Sequence, residues 1–164
     1  MMHRTLPRNI LAMMIVLILG AMPVLAQDVP TLQVSPSAGS KAQTPMTIAA
    51  LDALPQTGYA TTTIWTDGET TFTGVPLKTL LAHLGAQGAR VELIALNDYS
   101  VTIPLSELED DAPIVATRMN GAPMSVRDKG PYWVVYPYDR DAKYQNETVY
   151  SRSIWQLNRL KIVD

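Results

Sequence analysis

The sequence predicts an α+β domain, mostly β, with mixed short strands and few short helices. Three observations predict it. Short runs rich in β-branched and aromatic residues recur, among them YATTTIWT at 59–66 and YWVVY at 132–136. Two-residue turn signals separate such runs: Asp67-Gly68, Asn97-Asp98 and Asn120-Gly121. The one clear helical face, on Val75, Leu77, Leu80, Leu81 and Leu84, is short.

The elements follow in order. Residues 28–44 are rich in Pro, Ser, Gly and Gln without periodicity and read as a flexible lead-in. Residues 46–48 start a strand, and 49–54 make one helical turn that Pro55 stops. Residues 59–66 read as a central strand, with 70–73 returning beside it. The chain then turns a glycine-proline corner at Gly74 and Pro76, with Pro76 in the first helical turn, where a missing N–H costs nothing. Gly85 follows the last leucine, where a helix end favours a left-handed residue. Residues 90–96 and 99–103 form a hairpin, 104–109 a helical turn, and 112–119 with 122–124 a second hairpin. Residues 132–136 are a buried strand, 139–148 a loop, and 153–163 a last strand whose apolar positions slip phase, as at a β-bulge.

The 164 residues suffice for one domain with a real core. Residues 1–26 read as a secretory signal peptide. Arg4 and Arg8 form its positive end, 10–19 its apolar stretch, and Val24-Leu25-Ala26 the small-residue site before a cut at Gln27. Pro23 interrupts the apolar run, which is short for a membrane span. The division expected is therefore signal peptide 1–26, lead-in 27–45 and domain 46–164, in a bacterial, periplasmic protein with no membrane span after cleavage. Charge is near balance, with 13 basic and 15 acidic residues. Without the leader's two arginines, 11 face 15, a net of −4, which excludes the basic face of a nucleic-acid binder. The sequence contains no cysteine. An exported protein of this kind has no disulfide, and it has no thiolate for a metal or for nucleophilic catalysis.

Five stretches, FTGVPLKTLLAHLGA at 72–86, VELIALNDYSVTIPL at 91–105, APIVATRMNGAPM at 112–124, GPYWVVYPYD at 130–139 and IWQLNRLKIVD at 154–164, together resemble the molybdopterin-binding domain of the sulfite oxidase family. The likeness is to its short, exported, single-domain members. The resemblance implies a molybdenum–pterin dithiolene used for oxygen-atom transfer or sulfoxide reduction. It also implies one cysteine ligand on the strand before the corner, where this chain has Thr61, Thr62, Thr63, Ile64 and Trp65. Such a metal takes a soft thiolate from the protein, and a threonine hydroxyl does not replace it. The family's Gly-Pro strand tends to carry an arginine shortly after the proline, and Tyr132 and Trp133 stand there. Molybdopterin is thus a cofactor by resemblance only.

The residues themselves leave several alternatives open. His83, the sole histidine past the leader, reads as a helix-surface residue with no metal-ligand cluster around it. Asn97-Asp98-Tyr99 is either plain turn chemistry or a tip aiming Asp98 and Tyr99 at a ligand. Trp65, Tyr132, Trp133, Tyr136, Tyr138 and Trp155 serve as core or as a pocket lining. Arg118 and Arg152 are surface arginines or anion contacts. The acidic run Glu107, Glu109, Asp110 and Asp111 reads as a solvated loop face. The expectation is a binding module for a small-molecule or protein partner in the periplasm, with no catalytic residue and no metal ligand of its own. Its candidate pocket is Thr63, Trp65, Asp98, Tyr99, Arg118, Tyr132 and Arg152. Two alternatives stand beside it. One is a molybdopterin oxidoreductase with an oxygen ligand from Thr62 or Thr63 or a ligand from a partner subunit. The other is a structural subunit docking on a larger exported or membrane-bound complex.

Overall fold

A computed structural model describes residues 29–164. The signal peptide expected over 1–26 and its cut before Gln27 lie outside them. Two five-stranded arrays form the frame. In the first, β1 (Thr31–Ser35) lies between β2 (Thr44–Thr47) and the final strand β10 (Leu157–Val163), which pairs with the hairpin of β5 (Arg90–Ala95) and β6 (Ser100–Pro104). The β1–β10 pair is parallel and the other pairs of this sheet are antiparallel. The second sheet runs β3 (Thr57–Thr62), β4 (Glu69–Pro76), β7 (Ile114–Met119), β8 (Ala122–Pro123), with β9 (Trp133–Val135) also pairing β7. Short helices α1 (Ile48–Asp52), α2 (Leu77–His83) and α3 (Glu147–Arg152) complete the α+β architecture.

The corner between β4 and α2 departs from its expected form in one respect. Gly74 is no turn: it lies inside β4, and a Cβ there would sit 2.1 Å from the Val115 carbonyl oxygen. Only glycine lets β4 approach β7 so closely. Val75 consequently packs from the strand, while Leu77, Leu80 and Leu81 form the buried face of α2. Pro76 ends β4 and caps the helix, and Gly85, at φ 61°, closes it as expected. The Asn120-Gly121 turn and the bulge in β10, between Leu157 and Arg159, also appear as expected.

Four expectations are corrected. The lead-in expected over 27–45 is partly sheet: β1 alternates as TLQVS and buries Leu32 and Val34 completely. The run 59–66 is not a central strand. It pairs only with β4, lies at a sheet edge and ends at Thr62. The loop expected over 139–148 holds a 3₁₀ turn at Ala142–Tyr144 and the start of α3. Asp141 and Asn146 nucleate them by accepting the backbone N–H of Lys143 and Val149. The last strand begins at Leu157, because Gln156 takes a left-handed φ of 50° and breaks the ladder before it.

Candidate functional site

Where β3 ends, threonine hydroxyls bend the chain. Thr63 Oγ1 accepts the Trp65 N–H at 3.0 Å and shares a hydrogen bond with Thr66 Oγ1 at 2.8 Å. This turn sets the Trp65 indole among four other rings. It packs edge to face with Trp133, Tyr138, Tyr150 and Trp155, at centroid distances of 6.1, 6.2, 5.9 and 5.7 Å. Trp133 is fully buried and donates its Nε1–H to the Ser153 carbonyl at 3.2 Å. Tyr138 donates to Ser153 Oγ at 2.6 Å, and burial drives its phenol pKa upward, so it stays a donor. The platform under Trp65 is therefore fixed by packing and by buried hydrogen bonds.

Above the platform lies a cleft of about 270 Å³. Trp65, Tyr99, Tyr150 and Trp155 form its aromatic walls, Asn97 and Ser151 are exposed polar side chains on it, and no charged side chain lines it. Tyr99 is 47% and Trp155 38% exposed. Ile64 and Leu96, chain neighbours of lining residues, are 66% and 48% exposed. Large apolar side chains in and beside this opening thus remain exposed.

Of the sequence-predicted pocket, Trp65 and Tyr99 meet in this cleft. Thr63 lies in an adjoining polar depression with Thr62, Asp139 and Tyr150. Arg152 borders a third depression, beside Glu107, Tyr136 and Lys143. Asp98, Arg118 and Tyr132 line none of the three. Asp98 pairs with Arg159 at 2.5 Å, Arg118 with Asp52 at 2.6 Å and Arg152 with Glu107 at 2.6 Å. Tyr132 is a core residue: it donates to the carbonyls of Pro30 at 2.8 Å and Met46 at 3.1 Å, and burial pushes its pKa up to about 12. Tyr150 and Ser151 are cleft residues that sequence reasoning missed. The Asn146 capping signal, with Tyr150 four residues on, was the clue to a helix placing them there.

The acidic run is more engaged than a solvated loop. Arg140 holds Asp111 at 2.5 Å, and its guanidinium keeps that carboxyl below the usual range. Lys143 does the same for Glu109 at 2.8 Å, with the Tyr144 hydroxyl adding a hydrogen bond. Lys78 pairs with Asp110 at 2.7 Å. These exposed pairs contribute little to stability, but they occupy the cations. His83 is exposed on α2, and no group of three metal-ligating side chains occurs among the described residues.

The residues present do not fit a molybdenum dithiolene. The oxygens at the end of β3 are hard donors already in use. Thr62 donates its N–H and its hydroxyl to the two carboxylate oxygens of Asp139, at 2.5 and 2.7 Å, and Thr61 Oγ1 accepts the Asp139 N–H at 3.1 Å. A carboxylate beside them disfavours an anionic cofactor further. Arg118, Arg140, Arg152 and Arg159, side chains of the type that clamps a phosphate, each hold a carboxylate instead.

Comparison with known proteins gives three findings. The family described as oxidoreductase molybdopterin binding domain matches residues 52–140. No curated protein matches the sequence. The crystal structure of the sulfane dehydrogenase SoxCD from Paracoccus pantotrophus resembles this fold, with a TM-score of 0.62 and 19% identity over 82% of this chain. The chain spans 38% of that one, and at this identity the likeness shows the fold alone. Tyr150 and Trp155 lie beyond the segment the family matches.

Proposed function

The chain belongs to the oxidoreductase molybdopterin binding domain family, and from that premise we propose that it is an exported member working as a ligand-binding module without molybdenum redox chemistry. The observation that carries this reading is the state of the β3 end. The strand that bears the metal's thiolate in the sulfite oxidase pattern presents hydroxyls closed onto Asp139. The uncharged aromatic cleft beside it is the site this reading assigns to a ligand. The signal-peptide pattern of residues 1–26 supports export to the periplasm. Among the described residues no helix is long and apolar enough to cross a membrane.

Differential expression tests the reading. Protein made in a host that synthesises the cofactor should be colourless. Its thermal midpoint should equal that of protein from a cofactor-deficient host, because a ligand that binds only the native state raises the midpoint. A visible dithiolene band, or a higher midpoint in the competent host, overturns it. The exposed apolar side chains Ile64 and Leu96 around the cleft favour a second reading, a subunit docking through this face on a larger complex. Pull-down with a single stoichiometric periplasmic partner, lost on Ile64→Ser, would establish that reading.

A further inference from the structure

The shape and chemistry of the cleft specify more than an apolar ligand. Trp65 meets Tyr150 at 88° and Trp155 at 69°. Set at these angles, neither ring is parallel to Trp65, so neither forms with it a slot for a flat aromatic ligand. They do offer faces to a compact guest from several directions. Each face is the negative pole of a ring quadrupole, and the remaining polar side chains, Asn97 and Ser151, carry no charge. A bulky, weakly hydrated cation gains most from such walls. Among the described residues no cation lines the cleft: Arg152 and Arg159, near in sequence, hold Glu107 and Asp98, and the unpaired Lys129 ammonium sits 5.8 Å from the Trp133 ring of the platform, outside the lining. The protein as a whole carries a net charge of −2.

The two rim aromatics are also held at a cost in backbone strain. Among the described residues, four non-glycine residues adopt a positive φ. One, Asp98 at 62°, precedes Tyr99, and another, Gln156 at 50°, follows Trp155. Both positions are pinned. The Gln156 N–H donates to the Lys129 carbonyl at 2.9 Å and its side-chain amide to the Val126 carbonyl at 2.8 Å. The Tyr99 N–H donates to Asn97 Oδ1 at 3.1 Å, and its hydroxyl reaches the Ser151 carbonyl at 3.2 Å. Both backbone departures adjoin the exposed rings and are held by surrounding contacts, which fixes where Tyr99 and Trp155 stand.

We propose that Trp65, Tyr99, Tyr150 and Trp155 form an aromatic cage for a quaternary ammonium group of the choline type, whether on a free solute or on a lipid headgroup. This inference rests on the ligand-binding reading above and names the ligand class of that site.

Titration of the purified protein, followed by tryptophan fluorescence and calorimetry, tests it. The probes are tetramethylammonium, choline, and the neutral isostere of choline in which a tert-butyl group replaces trimethylammonium. Choline should bind about tenfold more tightly than the isostere. Trp155→Ala and Tyr99→Leu should each weaken choline by about tenfold. Tyr99→Phe, which keeps the ring face and loses only the hydroxyl, should retain binding. Circular dichroism checks that each variant is folded. Equal affinity for choline and its isostere overturns the cage while leaving an apolar ligand site. Absence of binding by both cations to the folded protein also overturns it, without touching the metal-free reading. Stoichiometric molybdenum would overturn that reading instead, whatever the titration shows. Sedimentation with phosphatidylcholine vesicles and not with phosphatidylglycerol vesicles, beside choline binding, assigns the headgroup. Choline binding without sedimentation assigns a free solute. Sedimentation with phosphatidylglycerol alone contradicts the cage.

Discussion

The end of β3 and the aromatic cleft are neighbours that share Tyr150, yet they are chemical opposites. At the strand end, the Thr61 and Thr63 hydroxyls and both donors of Thr62 have partners within the protein. At the cleft, which begins two residues on with Trp65, the rings of Tyr99 and Trp155 are exposed to solvent. In the sulfite oxidase pattern the strand is the reactive place. On the reading proposed above, this strand end is structural in this chain and the binding surface is the cleft of Trp65, Tyr150 and Trp155. The difference between the two regions is one of partners: the polar groups of the strand end are used within the protein, and the rings of the cleft are only partly covered.

Substitutions can break this comparison or sharpen it, beginning with the one of largest effect. Trp133 lies under both regions, packed on Phe72 at 5.3 Å and on Trp65. Trp133→Ala should lower stability by about 3–5 kcal/mol in urea unfolding, because it removes a fully buried ring. A loss below about 1 kcal/mol would mean that the platform is not one packed unit. Thr61→Val keeps the buried shape but removes the acceptor for the Asp139 N–H. It should lower stability by about 1 kcal/mol while leaving ligand affinity unchanged. Loss of affinity there would join the two regions that are held separate here.

Asp139 gives the comparison a pH signature. Hydrogen bonds from the Thr62 N–H, then from its hydroxyl, lower the Asp139 pKa below the usual carboxylate value. A depressed folded pKa stabilises the protein fully above the unfolded carboxylate pKa, about 4. That stabilisation is lost as pH falls through the folded value. Asp139→Asn should therefore lower the thermal midpoint slightly at neutral pH and flatten its decline on acidification, as followed by circular dichroism. An unchanged acid profile would show that the clasp contributes nothing. The smallest stability effect is expected of Trp155→Ala, at about 1 kcal/mol or less, since the ring is 38% exposed. Its consequence should be confined to binding.

Much of the fold was legible because its signals are local. Asn120-Gly121 supplies consecutive positive-φ residues at 51° and 79°, and Gly85 ends its helix, each from a dipeptide or a single residue. What was not legible depends on distant partners. That β3 is an edge strand is decided by which strands pair with β4, and nothing in YATTTIWT states it. β1 has a period of two over only five residues, inside a stretch whose composition reads as linker. The site divides in the same way. Trp65 and Tyr99 could be singled out as aromatic residues near turns, and they do meet. Arg118 and Arg152 could not be known to face Asp52 and Glu107, 66 and 45 residues away. Tyr132 looked like a pocket residue, but its hydroxyl satisfies carbonyls of Pro30 and Met46.

The most direct test of the central claim is the molybdenum content of the protein purified from its natural cells, measured per polypeptide by elemental mass spectrometry. The closed threonine–aspartate clasp predicts only background metal. A value near one atom per chain would contradict it.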